Sequence, residues 1–211
     1  MITFKRNQVE EAISRYFGQG PKPSSKLHTR IKRLLDMDRN LGRNPRSSDP
    51  EKANYAFYSD VGQGKGIEAK FSEFEVFAVQ MGLRFLEHEW PQEFAVNALR
   101  RVRKVLEAEH AEIMKLDPST LFDPTQFPKG VGMPVVYNAN PAHLVIVTRQ
   151  DPSVPDNKHP PFKVCWGHNA VVEFAKRIKA QSYSGFELVT AAHRLSAELQ
   201  KVQPRKRGRG A

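Results

Sequence analysis

The residues whose type and spacing are best suited to chemistry are cations. Lys26, Thr29, Arg30, Lys32 and Arg33 lie on the side of a periodic segment opposite Leu27, Ile31, Leu34 and Leu35. Those four apolar residues recur at i, i+4, i+7 and i+8, the spacing of one helix face. A helix of this pattern buries its apolar stripe and turns Lys and Arg toward solvent, where guanidinium and ammonium groups meet phosphate oxygens and the acceptor edges of bases. Arg30 and Arg33 are candidate base readers. Lys26, Thr29 and Lys32 are candidate phosphate contacts, as is Lys65 within the glycine-dense run Gly62-Gln-Gly-Lys-Gly66. A second cationic group, Arg205, Lys206, Arg207 and Arg209, closes the chain.

Other chemistries find little support. The Gly62–Gly66 run lacks the Gly-Lys-Ser/Thr ending of a phosphate-binding loop and reads as a turn between two strand-like runs. No Gly-x-Ser-x-Gly elbow is present. Glu107 and His110 stand at i, i+3, but no second such pair accompanies them as a di-metal bundle requires. His88, His143, His159 and His168 fall at a helix end or in or beside loops and are not spaced as a zinc set. Cys165, the one cysteine, sits in an apolar run that suits a small buried thiol and excludes an internal disulfide. Tyr137, Phe162, Trp166 and Phe174 could line a ligand pocket, but they fit the core of a small sheet better. Lys176, Arg177 and Lys179 read as a solvated helix face. The expectation is therefore no catalytic residue, no metal, no cofactor and no enzymatic activity.

Charge distribution points the same way. The chain has 211 residues, with 33 Lys and Arg against 23 Asp and Glu, a formal charge of +10. Its mean hydropathy is −0.56 and its pI about 9.8. Residues 1–52 hold 12 basic and 6 acidic side chains, and residues 201–211 hold 5 basic and none acidic. The middle is nearly neutral, so the excess is localised as a polyanion-binding surface would require. No run approaches the roughly 20 apolar residues of a membrane span, and the first residues lack the order of a secretion signal. The expected setting is cytoplasmic, at the nucleoid.

The elements that must hold these cations follow from periodicity and punctuation. Val9, Ala12, Ile13, Tyr16 and Phe17 form the stripe of a first helix, capped by Thr3 and stopped at Gly18. Ser24 or Ser25 caps the basic helix. Residues 40–52 read as a linker. Tyr55–Tyr58 and Ile67–Phe71 read as a hairpin around the glycine turn. Ser72 with Glu75 is a capping box opening a helix with Phe74, Phe77, Ala78, Met81, Phe85 and Leu86 on its stripe. Trp90-Pro91 breaks it. A long helix follows, with Phe94, Ala98, Val102, Leu106 and Ile113 inward and Arg100, Arg101, Arg103 and Lys104 in its middle, ending at Asp117-Pro118. Beyond a connector at 117–134, strands are expected at 135–137, 144–147 and 162–166 and a helix at 169–178. Ser184 and Glu187 form a second capping box before a last helix with Leu188, Ala192, Leu195 and Leu199. The expected fold class is α+β: residues 1–116 a helix-turn-helix with a hairpin wing and a long following helix, residues 135–200 a small α+β unit, and residues 201–211 a disordered basic tail.

The stretch from Phe71 to Val96, with its aromatic-Ser wing end, acidic first helical turn, break and return helix, is similar to the post-wing segment of MerR-type regulators. The order of elements over about residues 4–105 resembles that family as well. The resemblance implies a winged helix-turn-helix with Ser25–Leu35 as recognition helix and Tyr55–Phe71 as wing. It further implies a homodimer on double-stranded DNA and a transcriptional regulator as the function. No Cys-rich loop follows, so metal sensing is not implied. Arg207-Gly208-Arg209 resembles the core of an AT-hook, which implies minor-groove contact by the tail. The C-terminal unit would then serve a protein or small-molecule effector. The competing expectations are an architectural, nucleoid-associated protein with little sequence preference, and an RNA-binding or nucleotide-processing enzyme with its site in residues 135–200.

Overall fold

The computed structural model describes residues 2–59, 69–122, 138–154 and 160–203. These residues form a mixed α/β chain in which helices predominate and the sheets are small and antiparallel. The chain divides into two compact units. One comprises the described residues up to Lys104 together with those from Arg194 onward, and the other is Val105–His193. The boundaries of these units fall inside two helices. Punctuation marks where helices stop, whereas packing assigns the two ends of one helix to different cores.

In the first unit, β1 (Phe4–Lys5) pairs antiparallel with β2 (Lys70–Phe71) in the register Phe4↔Phe71 and Lys5↔Lys70, and α1 (Arg6–Tyr16) follows directly. The N-cap is Lys5, not Thr3: the Gln8 side chain accepts a hydrogen bond from the Lys5 amide at 3.0 Å. The helix ends in a Schellman turn, with the Gln19 amide on the Ser14 carbonyl and the Gly18 amide on the Arg15 carbonyl, both at 2.9 Å. Gly18 takes the left-handed conformation this turn requires, at φ 71°. The basic helix α2 (Ser25–Leu41) is capped by Ser24, whose hydroxyl accepts from the Leu27 amide at 3.2 Å. It extends well beyond Leu35 into the expected linker, and Asp49 caps a further short helix there, α3 (Pro50–Ala53).

Helix α4 (Glu73–Glu87) opens on the expected capping box, with Glu75 accepting from the Ser72 amide at 2.7 Å and Ser72 accepting from the Glu75 amide at 3.2 Å. Phe74, Val76, Phe77, Val79, Met81, Leu83 and Phe85 are all buried, together with Glu75 and Gln80, so most of the helix surface is covered and it is a core element. Gly82 allows close packing at its middle: a Cβ there would lie 3.2 Å from Leu34 and Phe57 and 3.3 Å from Leu99. Helix α5 (Gln92–Ile113) contributes Val96, Leu99 and Val102 to this core. Trp90 packs between its neighbours, its ring 4.7 Å from that of Phe85 and 4.9 Å from that of Phe94.

The second unit contains α6 (Pro118–Leu121), capped by Asp117, and a three-stranded antiparallel sheet. Its strands are β3 (Ala142–Gln150), β4 (Phe162–Trp166) and β5 (Ala180–Glu187), with α7 (His168–Arg177) between β4 and β5. The spatial order is β4-β3-β5. One face carries Val145, Val147 and Cys165 under Val171 and Phe174 of α7. The expected capping box at Ser184 does not form, because Ser184 lies within β5, paired with Ile146. Glu187 itself caps α8 (Val189–Leu199), its carboxylate accepting from the amides of Val189 at 2.8 Å and Thr190 at 2.9 Å. The expected strand at 135–137, with Tyr137, lies outside the described residues.

Candidate nucleic-acid interface

The expected first wing strand, Tyr55–Tyr58, is not a strand. A strand there would leave its edge to a β partner, but side chains satisfy this backbone instead. Buried Asp38 accepts from the amides of Ala56 at 2.9 Å and Phe57 at 3.0 Å through one oxygen, and from Arg100 Nε at 2.6 Å through the other. Arg103 donates to the carbonyl of Ala56 at 3.0 Å and to the Ser59 hydroxyl at 3.2 Å. Glu75 accepts from the Ser59 amide and lies 3.6 Å from Arg103. The strand expected at Ile67–Phe71 is described only at its end, where Lys70–Phe71 pairs with β1 and not with Tyr55–Tyr58. Residues 60–68, including Gly62–Gly66 and candidate Lys65, lie outside the described residues, as do Arg205, Lys206, Arg207 and Arg209.

The arginines of α5 are thus committed inward. Arg100 and Arg103 are buried with Asp38 and Glu75, and Arg101 lies 3.4 Å from Glu51. Partial burial lowers the Arg101 pKa, partly offset by Glu51 and Asp49. Burial makes these arginines clamps between helices and the segment that enters residue 60.

The cations of α2 behave differently. Leu27, Ile31, Leu34, Leu35 and Asp38 face the core, and at 100° per residue the opposite side is centred on Thr29, with Lys32, Arg33, Asp36 and Asn40 around it. Lys26, Thr29, Lys32 and Arg33 are exposed. Thr29 donates its hydroxyl to the Ser25 carbonyl at 2.8 Å, which fixes its methyl and oxygen relative to the helix. The Arg33 carbonyl accepts from Gln92 at 3.0 Å, and its side chain is exposed. Arg30 is half-buried at one flank of this side. It lines an open cleft of about 120 Å³ with Phe17, Gln19, Leu27, Leu83 and Glu87. No ion pair joins Lys26, Arg30, Lys32 or Arg33 to a carboxylate among the described residues, while His28 on the same helix contacts Glu10 at 3.0 Å.

The chemically versatile side chains of the second unit have the following surroundings. The Cys165 thiol is buried, and burial pushes its pKa up. The His143 and His168 rings lie 5.3 Å apart. The Trp166 indole donates to Glu109 at 2.9 Å. Phe174 is a core residue, with Lys163 and Arg177 over its ring at 6.0 and 5.8 Å. Among the described residues no three His, Cys, Asp or Glu side chains gather as a metal site, and no helix is long and apolar enough to cross a membrane. No protein-family model matches the chain, and no curated protein matches it in sequence.

Proposed function

We propose that the chain binds duplex DNA as a transcriptional regulator, with α2 as the recognition helix of a helix-turn-helix. One contrast carries the reading. Arg100 and Arg103 of α5 are paired with buried carboxylates, whereas four candidate side chains of α2 are exposed on one side of a helix whose other side is anchored in the core. Uncompensated cations in rigid array lose little order on meeting a polyanion and release its counterions. The tight Schellman exit from α1 and the Ser24 cap hold α2 firmly, as groove entry requires. The expected hairpin wing is not part of this reading: buried side chains hold Tyr55–Tyr58, and Lys70–Phe71 pairs with β1.

The test is selection of bound duplexes from a random pool, followed by titration of wild type and of Arg30→Ala with Arg33→Ala. A defined motif, and a loss of discrimination by the double variant of about 1–3 kcal/mol per base contact with unchanged circular dichroism, support the reading. Given the flank position of Arg30, Arg33 should carry the larger share. A flat preference without any motif would replace the regulator with a DNA-coating protein, and absence of duplex binding would end the proposal.

A further inference from the structure

We propose that the cleft between the first turns of α2 and the last turn of α4 is a binding site for a free α-amino acid with an apolar side chain. Helical spacing builds it. On α2, Lys26 and Arg30 stand at i, i+4 beside Leu27, and on α4, Leu83 and Glu87 stand at i, i+4. Phe17, at the end of α1, completes the lining. These side chains surround about 120 Å³ of open space. Leu27 and Leu83 are buried and Phe17 is half-buried, so the inner wall is apolar. Arg30 is half-buried and Lys26 and Glu87 are exposed, so the charges stand toward the mouth.

The charges select the occupant. Arg30 and Glu87 line the same cleft, yet no ion pair joins them to each other or to any other group among the described residues. A guanidinium and a carboxylate held apart in this way match a ligand that carries both opposite charges a few bonds apart. In a space partly shielded from water each pairing is stronger than on open surface. An α-amino acid is such a ligand. Its carboxylate takes two parallel hydrogen bonds from Arg30, its ammonium donates to Glu87, and its side chain covers Phe17, Leu27 and Leu83. Lys26 and the partial positive charge at the N-terminal end of α2 add to the field at the carboxylate. The Ser24 hydroxyl is already engaged, donating to Gln19 at 3.1 Å and accepting from the Leu27 amide at 3.2 Å, so orientation falls to the charged groups. The volume is well below the roughly 300–1,000 Å³ of pockets for drug-sized ligands, which suits a single amino acid better than a nucleotide. The site itself does not depend on duplex binding; its occupant holds Arg30, the flank cation of the proposed DNA face, and on that reading acts as an effector.

The experiment is calorimetric titration of the full chain with L-leucine and L-phenylalanine, and with the N-acetyl and amide derivatives of each, which lack the ammonium and the carboxylate respectively. Wild type, Arg30→Ala and Glu87→Gln are compared, with circular dichroism as the fold control. At least one of the two amino acids should bind wild type saturably. Arg30→Ala should weaken that amino acid and its N-acetyl derivative by about tenfold or more and leave its amide unchanged. Glu87→Gln should weaken the amino acid and its amide and leave the N-acetyl derivative unchanged. No saturable binding of either amino acid to wild type would overturn the proposal, and so would binding that both variants retain. Inorganic phosphate or acetate binding as tightly as the amino acids, with loss in Arg30→Ala alone, would overturn it in favour of a plain anion site. None of these failures touches the duplex selection, which stands or falls by its own titration.

Discussion

Replacing Asp38 with alanine removes three hydrogen bonds in one step. Its carboxylate is wholly buried and its partner Arg100 only 3% exposed. The substitution leaves a buried guanidinium with the carbonyls of Glu51 and residue 38 as its remaining acceptors, and leaves the amides of Ala56 and Phe57 without the oxygen that holds them. Breaking a buried pair by deleting one partner costs about 3–5 kcal/mol, a large share of a total stability of about 5–15 kcal/mol. With a urea dependence of about 2 kcal/mol per molar, the midpoint should fall by about 2 M. Trp90 reports on this unit through its contacts with Phe85 and Phe94, so its fluorescence in a Trp166→Phe background follows the transition. Asp38→Leu combined with Arg100→Met should be more stable than Asp38→Leu alone, because no unpaired charge stays buried. A midpoint shift below about 0.5 M for Asp38→Ala, equivalent to about 1 kcal/mol, would refute the reasoning. So would a double variant no better than the single one.

Two further perturbations follow. Burial, with neighbouring His193, pushes the His110 imidazole down to about 4; the unfolded chain therefore takes up a proton below about pH 6.5 that the folded one refuses. The contribution to stability is level above that pH, falls as pH drops toward 4 and levels again below, a total loss of about 3 kcal/mol. Urea midpoints read through Trp166 at pH 8 and pH 4.5 should differ less in His110→Gln than in wild type, and equal differences would exclude the effect. Gly82→Ala places a methyl against Leu34, Phe57 and Leu99, all essentially unexposed. Crowding of about 1–3 kcal/mol should outweigh the helix-propensity gain of about 1 kcal/mol, so thermal melting should show a lower midpoint, and a raised one would mean the neighbours give way.

Several helices were legible in the sequence through short-range signals, although the Ser184–Glu187 box does not form and the first helix is capped at Lys5 and not Thr3. Ser72 and Glu75 form their capping box as read, Ser24 caps the basic helix, and Leu27, Ile31, Leu34 and Leu35 are buried with the cations opposite. Such signals involve residues three or four apart, and the backbone itself brings them together. Strands were less legible. The run Ala180–Glu187 is largely polar and its outer residues are exposed, so it shows no apolar alternation and becomes a strand only through pairing with β3. Tyr55–Tyr58 has strand-like composition, yet Asp38 and Arg103 take its backbone groups first.

The sequence by itself determined which helix could offer a cationic face to a polyanion, because periodicity separates the apolar and basic sides of α2 without reference to anything distant. Only the tertiary structure decided which cations remain available. Arg100 and Arg33 are the same residue type on helices of similar pattern, but Arg100 meets a carboxylate 62 positions away and Arg33 meets none among the described residues. Partners that far apart in the chain are chosen by packing, and the low polarity of the core makes that choice decisive: a charge buried there must be paired, while one left in water stays open to a ligand.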